Sequence, residues 1–284
     1  MDVELEIGPG GRIDPTRVHL VRPGNMVDLG GELTPHIQEA NRAGHHLPEF
    51  ARRPDFSRAS NWITAGWWLN TTDTPVTYFR TEWEVPPAPL KDASQHLFLF
   101  NGMQPARGSS LNLILQPVLE WGKLGRSWSV ASWIYPAPDG HVYTSSRVPV
   151  AEGDSLIGVI RLCDHRRQLF TYSCEFEDLP ETRLCVANMP ELVWCVETLE
   201  AYGQAGTPPY DLNHRTEYPN TDRTSMRRIK VLTDGPSDSL DWELFTSVAV
   251  KYGQHTEVVN DSSTHGRVEI FYGDDSKSFA KARE

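Results

Sequence analysis

From Asn61 onward the chain is a succession of short runs rich in Trp, Tyr, Phe, Val, Ile and Thr, closed by turn residues, and no run of ordinary length keeps a helical period. NWITAGWWLN is followed by VTYFRTEWEVP and QHLFLFNGM, with Thr72-Asp73-Thr74-Pro75 and Pro86-Pro87-Ala88-Pro89 between them. HVYTSSRVPV, SLIGVIRLC, LFTYSCEFEDL, SMRRIKVLT, LDWELFTSVA, HTEVVND and GRVEIFYG continue the pattern. LVWCVETLEAY fits strand or helix; strand is favoured because Val193, Cys195 and Glu197 alternate with Trp194, Val196 and Thr198. Strands recurring at about ten residues predict an all-β, antiparallel two-sheet sandwich over 59–275. Residues 1–58, rich in Gly, Pro, Arg and His, predict an irregular N-terminal arm with a short helical piece near Thr34 to Arg42. Residues 276–284 predict a frayed tail.

The densest part is Ser110 to Pro136, SLNLILQPVLEWGKLGRSWSVASWIYP. Gly122-Lys123-Leu124-Gly125-Arg126 joins two apolar runs as a hairpin. Strand alternation puts Asn112, Ile114, Gln116, Val118 and Glu120 on one face, an amide and a carboxylate four residues apart. Pro117 cannot donate to a ladder, so an edge or a bulge is expected there, and a bulge would move Glu120 off the Gln116 face.

A net charge of −11 with no long basic run argues against a nucleic-acid partner. No apolar run approaches the ~20 residues that span a bilayer, so no membrane partner is expected. MDVELEIGPGG has neither the basic start nor the apolar segment of a secretory signal, so the chain as written reads as cytoplasmic, or as secreted if such a signal has been removed. Cys163 and Cys174 flank a turn and Cys185 and Cys195 could close a second loop, so two disulfides or four free thiols are both compatible. Asn70-Thr71-Thr72 and Asn260-Asp261-Ser262 are glycosylation triplets. No metal or other cofactor is expected: the cysteine spacings do not suit zinc, and His45-His46 lacks further ligands at coordinating spacing.

With these segments in view, the chain resembles the glutamic peptidases of the eqolisin type over roughly residues 61 to 200. The carriers are the W…AGW opening, FRTEWEVP, ILQ, SWIYP, EGDSLIGVI and LVWCVETLEAY. That resemblance implies a jelly-roll, concanavalin A-like sandwich and a catalytic glutamine and glutamate on a concave sheet. Gln116 matches the glutamine, whereas Ser132 stands before Trp133 where the resemblance implies a glutamate, and a serine hydroxyl cannot act as that base. The expected activity is therefore metal-free acid–base chemistry on a small molecule or glycan, with Gln116 positioning and Glu120 or Glu197 moving the proton. Trp67, Asn101, Asn112, Trp128, Ser132, Trp133 and His255 are the candidate ligand contacts. A lectin-like module that binds carbohydrate on its tryptophans is the alternative, and an atypical acid peptidase a third reading.

Overall fold

The computed structural model describes residues 6–31, 34–46, 61–106, 113–203, 212, 214–235, 239–247 and 250–274 of the 284. Two large, mostly antiparallel sheets face each other, and the sandwich expected from the strand spacing is what forms. The first sheet contains β5 (Trp62–Leu69), β7 (His96–Pro105), β8 (Ile114–Gly122), β9 (Gly125–Tyr135), β10 (Val142–Thr144), β11 (Val148–Val150), β15 (Leu192–Tyr202) and β17 (Glu243–Thr246). The second contains β6 (Val76–Glu84), β12 (Ser155–Arg166), β13 (Leu169–Phe176), β14 (Leu179–Met189), β16 (Arg223–Thr233), β18 (His255–Asn260) and β19 (Gly266–Phe271). LVWCVETLEAY is a strand, β15, paired between β5 and β7. No described helix is long and apolar enough to cross a membrane.

The arm differs from the irregular segment expected. It contributes a short hairpin, β1 (Glu6–Gly8) with β2 (Gly11–Ile13), then β3 (Val18–Leu20), β4 (Met26–Asp28) and helix α1 (Thr34–His46). β3 adds in parallel to β10 at the edge of the first sheet, and β4 adds in parallel to β14 at the edge of the second. Three-residue strands carry almost no periodic signal, and their pairing is supplied by exposed sheet edges far along the chain, so local patterning could not reveal them. The His45-His46 pair ends α1.

The apolar residues divide into two clusters. The larger fills the space between the sheets and takes Leu115, Leu119, Trp121, Trp128, Val130, Ile134, Cys195 and Leu199 from the first sheet. The second lies on the other face of that sheet and joins Trp67, Phe98, Phe100, Ile114, Val118, Trp133, Trp194, Val196 and Tyr202 to Ile7 and Ile13 of the hairpin. The first sheet is thus buried on both faces, with the hairpin packed on its outer one. This explains why β5, β8 and β15 read as near-continuous apolar runs.

Pro117 corrects the edge-or-bulge expectation. It sits in an interior strand, and β8 keeps one register against β9 from Ile114 to Trp121, with Pro117 opposite Ser132. On its other side the pairing of β8 to β7 has a gap between Phe100↔Val118 and Met103↔Leu115 without a change of register. Gly158 of the facing sheet makes room there, since a side chain at that position would collide with Asn101, Trp83 and Pro117. With no bulge, Gln116 and Glu120 remain on one face.

The four cysteines are free, so the disulfide alternative is not realised. Cys174 is opposite Ile160, and the β12–β13 register skips Cys163 at a bulge; Cys185 and Cys195 are on strands of different sheets. Asn70 of the first glycosylation triplet is buried: its Nδ2 donates to Thr74 O and its Oδ1 accepts from Thr72, so its amide builds the turn.

Candidate functional site

Gln116 lies on the hairpin-covered face of β8, directly opposite Trp133. Its side chain is 1% exposed, and neither its Nε2 nor its Oε1 has a hydrogen-bond partner. A buried primary amide with both ends unsatisfied costs free energy comparable to lost hydrogen bonds, and native interiors retain few of them. Its immediate strand neighbours on this face, Ile114 and Val118, are apolar and offer it no partner.

Glu120, four residues further along the same face, is fully buried and heavily engaged. Trp133 Nε1 donates to its Oε1 at 2.7 Å, and Arg147 Nε donates to its Oε2 at 2.8 Å. Ser129 Oγ adds a longer contact of 3.5 Å, and the Arg147 guanidinium lies 5.4 Å from the Trp133 ring. These contacts fix the indole plane opposite Gln116, so the carboxylate positions the wall, with both of its oxygens already engaged.

The carboxylate that reasoning from sequence missed is Glu200. It lies on the same face, 1% exposed, where its Oε1 accepts from Tyr202 Oη at 2.6 Å. The Gly10 backbone N–H of the hairpin donates to it at 3.1 and 3.2 Å. Burial pushes its pKa up to about 7, against the opposing effect of those hydrogen bonds. Burial also raises the phenols of Tyr135 and Tyr202, and Glu200 adds to both. The available signal was the alternation of Trp194, Val196, Thr198, Glu200 and Tyr202, which places Glu200 on the face opposite to Glu197.

Glu197 belongs to the inter-sheet space. Thr81 Oγ1 of the second sheet donates to its Oε1, and burial raises its pKa well above the ordinary carboxylate range. It is register-paired with Asn101, whose Nδ2 donates to Gly158 O at 3.4 Å and whose Oδ1 is unpartnered. Neither shares a face with Gln116.

The other candidates scatter. Trp67 and Trp133 are on the hairpin-covered face, but Trp128 and Ser132 alternate onto the inter-sheet side with Val130 and Ile134. Ser132 donates its backbone N–H to Ser145 Oγ. All nine tryptophans are buried, at 8% exposure or less, so a solvent-facing sugar platform of tryptophans is not formed. His255 is on the second sheet, stacked on Phe271 at 4.5 Å with its nitrogens against Gly253 O and Glu257. It borders an open cavity of about 510 Å³ shared with Arg215, Arg223 and Asp222. Asn112 lies outside the described residues. Among the described residues no group of three or more His, Cys, Asp or Glu converges as metal ligands.

No family model matches the chain, and no curated protein matches it. Among solved structures it is similar to SCP-B, a member of the eqolisin family of peptidases, solved with the tripeptide Ala-Ile-His. The superposition covers 74% of this chain and 98% of that one, at 15% identity and a TM-score of 0.42. The similarity is one of fold.

Proposed function

We propose that the hairpin-covered face of the first sheet is an acid–base site for a small polar molecule or glycan, with Gln116 orienting the ligand and Glu200 transferring the proton. The observation that carries this reading is the presence, on one sheet face, of a buried, unpartnered amide and a carboxyl raised to about 7, on β8 and on β15 with β7 between them. An orphaned amide costs stability and has a rationale where a ligand's donor and acceptor complete it. A carboxyl near neutral pH is divided between acid and base forms, which suits proton transfer. Glu120 and Arg147 supply the fixed indole wall, and Tyr202 orients the Glu200 carboxyl. No step requires a cofactor.

The aromatic lining of Trp67, Trp133, Trp194, Tyr135 and Tyr202 also favours a second reading, carbohydrate binding without turnover. A screen of glycans and small polar metabolites, monitored by thermal shift and by product formation, separates the two. Catalysis predicts turnover that Glu200→Gln abolishes while binding remains; binding alone predicts stabilisation without product. If no compound both binds and loses affinity in Gln116→Leu, both readings fail.

A further inference from the structure

We infer that the N-terminal hairpin, residues 6–13, is a removable cover that occupies the site and must lift for a ligand to enter. This rests on the reading of that face as the site and names how it would be regulated.

The hairpin stands on the chemistry described above. Gly10 is set against the Tyr135 ring, where a side chain would collide with it, and Gly8 lies beside Trp133, where a side chain would meet the ring at ordinary contact distance but collide with Ile13 of the hairpin itself. The Gly10 N–H holds the Glu200 carboxylate, the Lys123 ammonium holds Ile7 O, and Ile7 and Ile13 fill the aromatic cluster. An ammonium taken up by a backbone carbonyl and a carboxylate taken up by a backbone amide are groups a ligand could claim once the hairpin leaves.

The rest of the arm is anchored independently. β3 is hydrogen-bonded to β10, β4 to β14, and α1 packs on β13 and β14, so lifting the hairpin breaks none of these pairings. The segment 14–17, a single 3₁₀ turn capped by Asp14, separates it from β3. Two three-residue strands joined only by Pro9 and Gly10, the latter at positive φ, have little stability of their own. Local opening draws on such weakly supported units. On the same sheet face, the unpartnered Gln116 amide is a second and separate indication that a ligand is awaited there.

The test is carboxyl labelling with a water-soluble carbodiimide and glycinamide, read by peptide mass spectrometry. It would compare the full chain, a variant lacking residues 1–13, and the full-length double variant Ile7→Asp/Ile13→Asp. The double variant covers the case in which the deletion does not fold. Circular dichroism and hydrogen-exchange protection of β8 and β9 confirm that the sheet persists. The expected result is at least a tenfold faster labelling of Glu200 in the uncovered variants than in the full chain, with Glu197 unlabelled throughout. Equal labelling of Glu200 in covered and uncovered proteins, slow or fast, overturns the inference. Labelling reports access alone, so exposure of Glu200 without any ligand found would retain the cover and remove the proposed site.

Discussion

Trp133 donates its indole N–H to Glu120 Oε1 across the β8–β9 ladder at 2.7 Å, and the same carboxylate holds Arg147 at 2.8 Å on its other oxygen. One buried acid therefore satisfies an indole and a partly exposed guanidinium, and the indole it fixes stands opposite the unpartnered Gln116. Removing the acid leaves two donors without their acceptor. Glu120→Ala is expected to destabilise the fold by about 3 kcal/mol, the usual scale for breaking a buried charged pair, whereas Trp133→Phe costs about 1–2 kcal/mol. Urea melts of both variants check this. Equal, near-zero effects would contradict the structural role assigned to Glu120.

The Gln116 amide predicts the opposite sign. Replacing it with Leu, close in volume and without polar atoms, removes two unsatisfied groups from an apolar face, so Gln116→Leu should stabilise the ligand-free protein by about 1–2 kcal/mol. A residue kept at such a cost suits a site better than a core. Destabilisation by Gln116→Leu would show that the amide is satisfied in solution.

Glu200 makes stability depend on pH. Its folded pKa of about 7 lies above the ordinary carboxyl value of 4.5, so the folded state binds the extra proton. Its contribution is full below about 4.5 and is lost as pH rises through 7, a change of about 3 kcal/mol by linkage. Glu200→Gln keeps acceptors for Tyr202 and Gly10 and removes the charge. The variant should therefore match the parent near pH 4.5 and exceed its melting temperature progressively up to pH 8. A constant difference across that range would refute the assignment.

Glu197 gives a related but separable prediction. Its carboxyl is also raised, by burial between the sheets, so its charged form is the disfavoured one and stability falls as pH climbs. The advantage of Glu197→Gln should grow toward alkaline pH, while ligand binding on the far face of the sheet is unchanged. Melting curves from pH 5 to pH 9 give the first half, and a binding loss equal to that of Gln116→Leu would place Glu197 in the site after all.

Gly158 marks where the two sheets approach most closely to Pro117. Gly158→Ala drives a methyl into Asn101, Trp83 and Pro117 at once, and should cost about 1–3 kcal/mol as an overpacked core. A neutral effect on the urea midpoint would mean that the sheets are less tightly joined there.

The long strands and the sandwich were legible because each carries its own period and turn residues, and β8 with β9 formed the hairpin its pattern predicts. The hairpin of residues 6–13 was not legible, because Ile7 and Ile13 acquire meaning only against Trp133 and Tyr202, more than a hundred residues away. The site suffered from the same limit in another form. Alternation gives the relative faces within one strand, so it linked Gln116 with Glu120, but it could not say that β15 turns Glu200, and not Glu197, toward them. Glu120 looked available because the partner that occupies it, Arg147, lies in the short link between β10 and β11, whose course no local pattern sets.

The most direct measurement is calorimetric titration of a hit from the glycan and metabolite screen into three proteins: the full chain, the variant lacking residues 1–13, and that variant carrying Gln116→Leu. The account predicts at least tenfold tighter binding on removal of the hairpin and loss of that gain with Gln116→Leu. Binding of equal strength to all three would place the ligand elsewhere and contradict it.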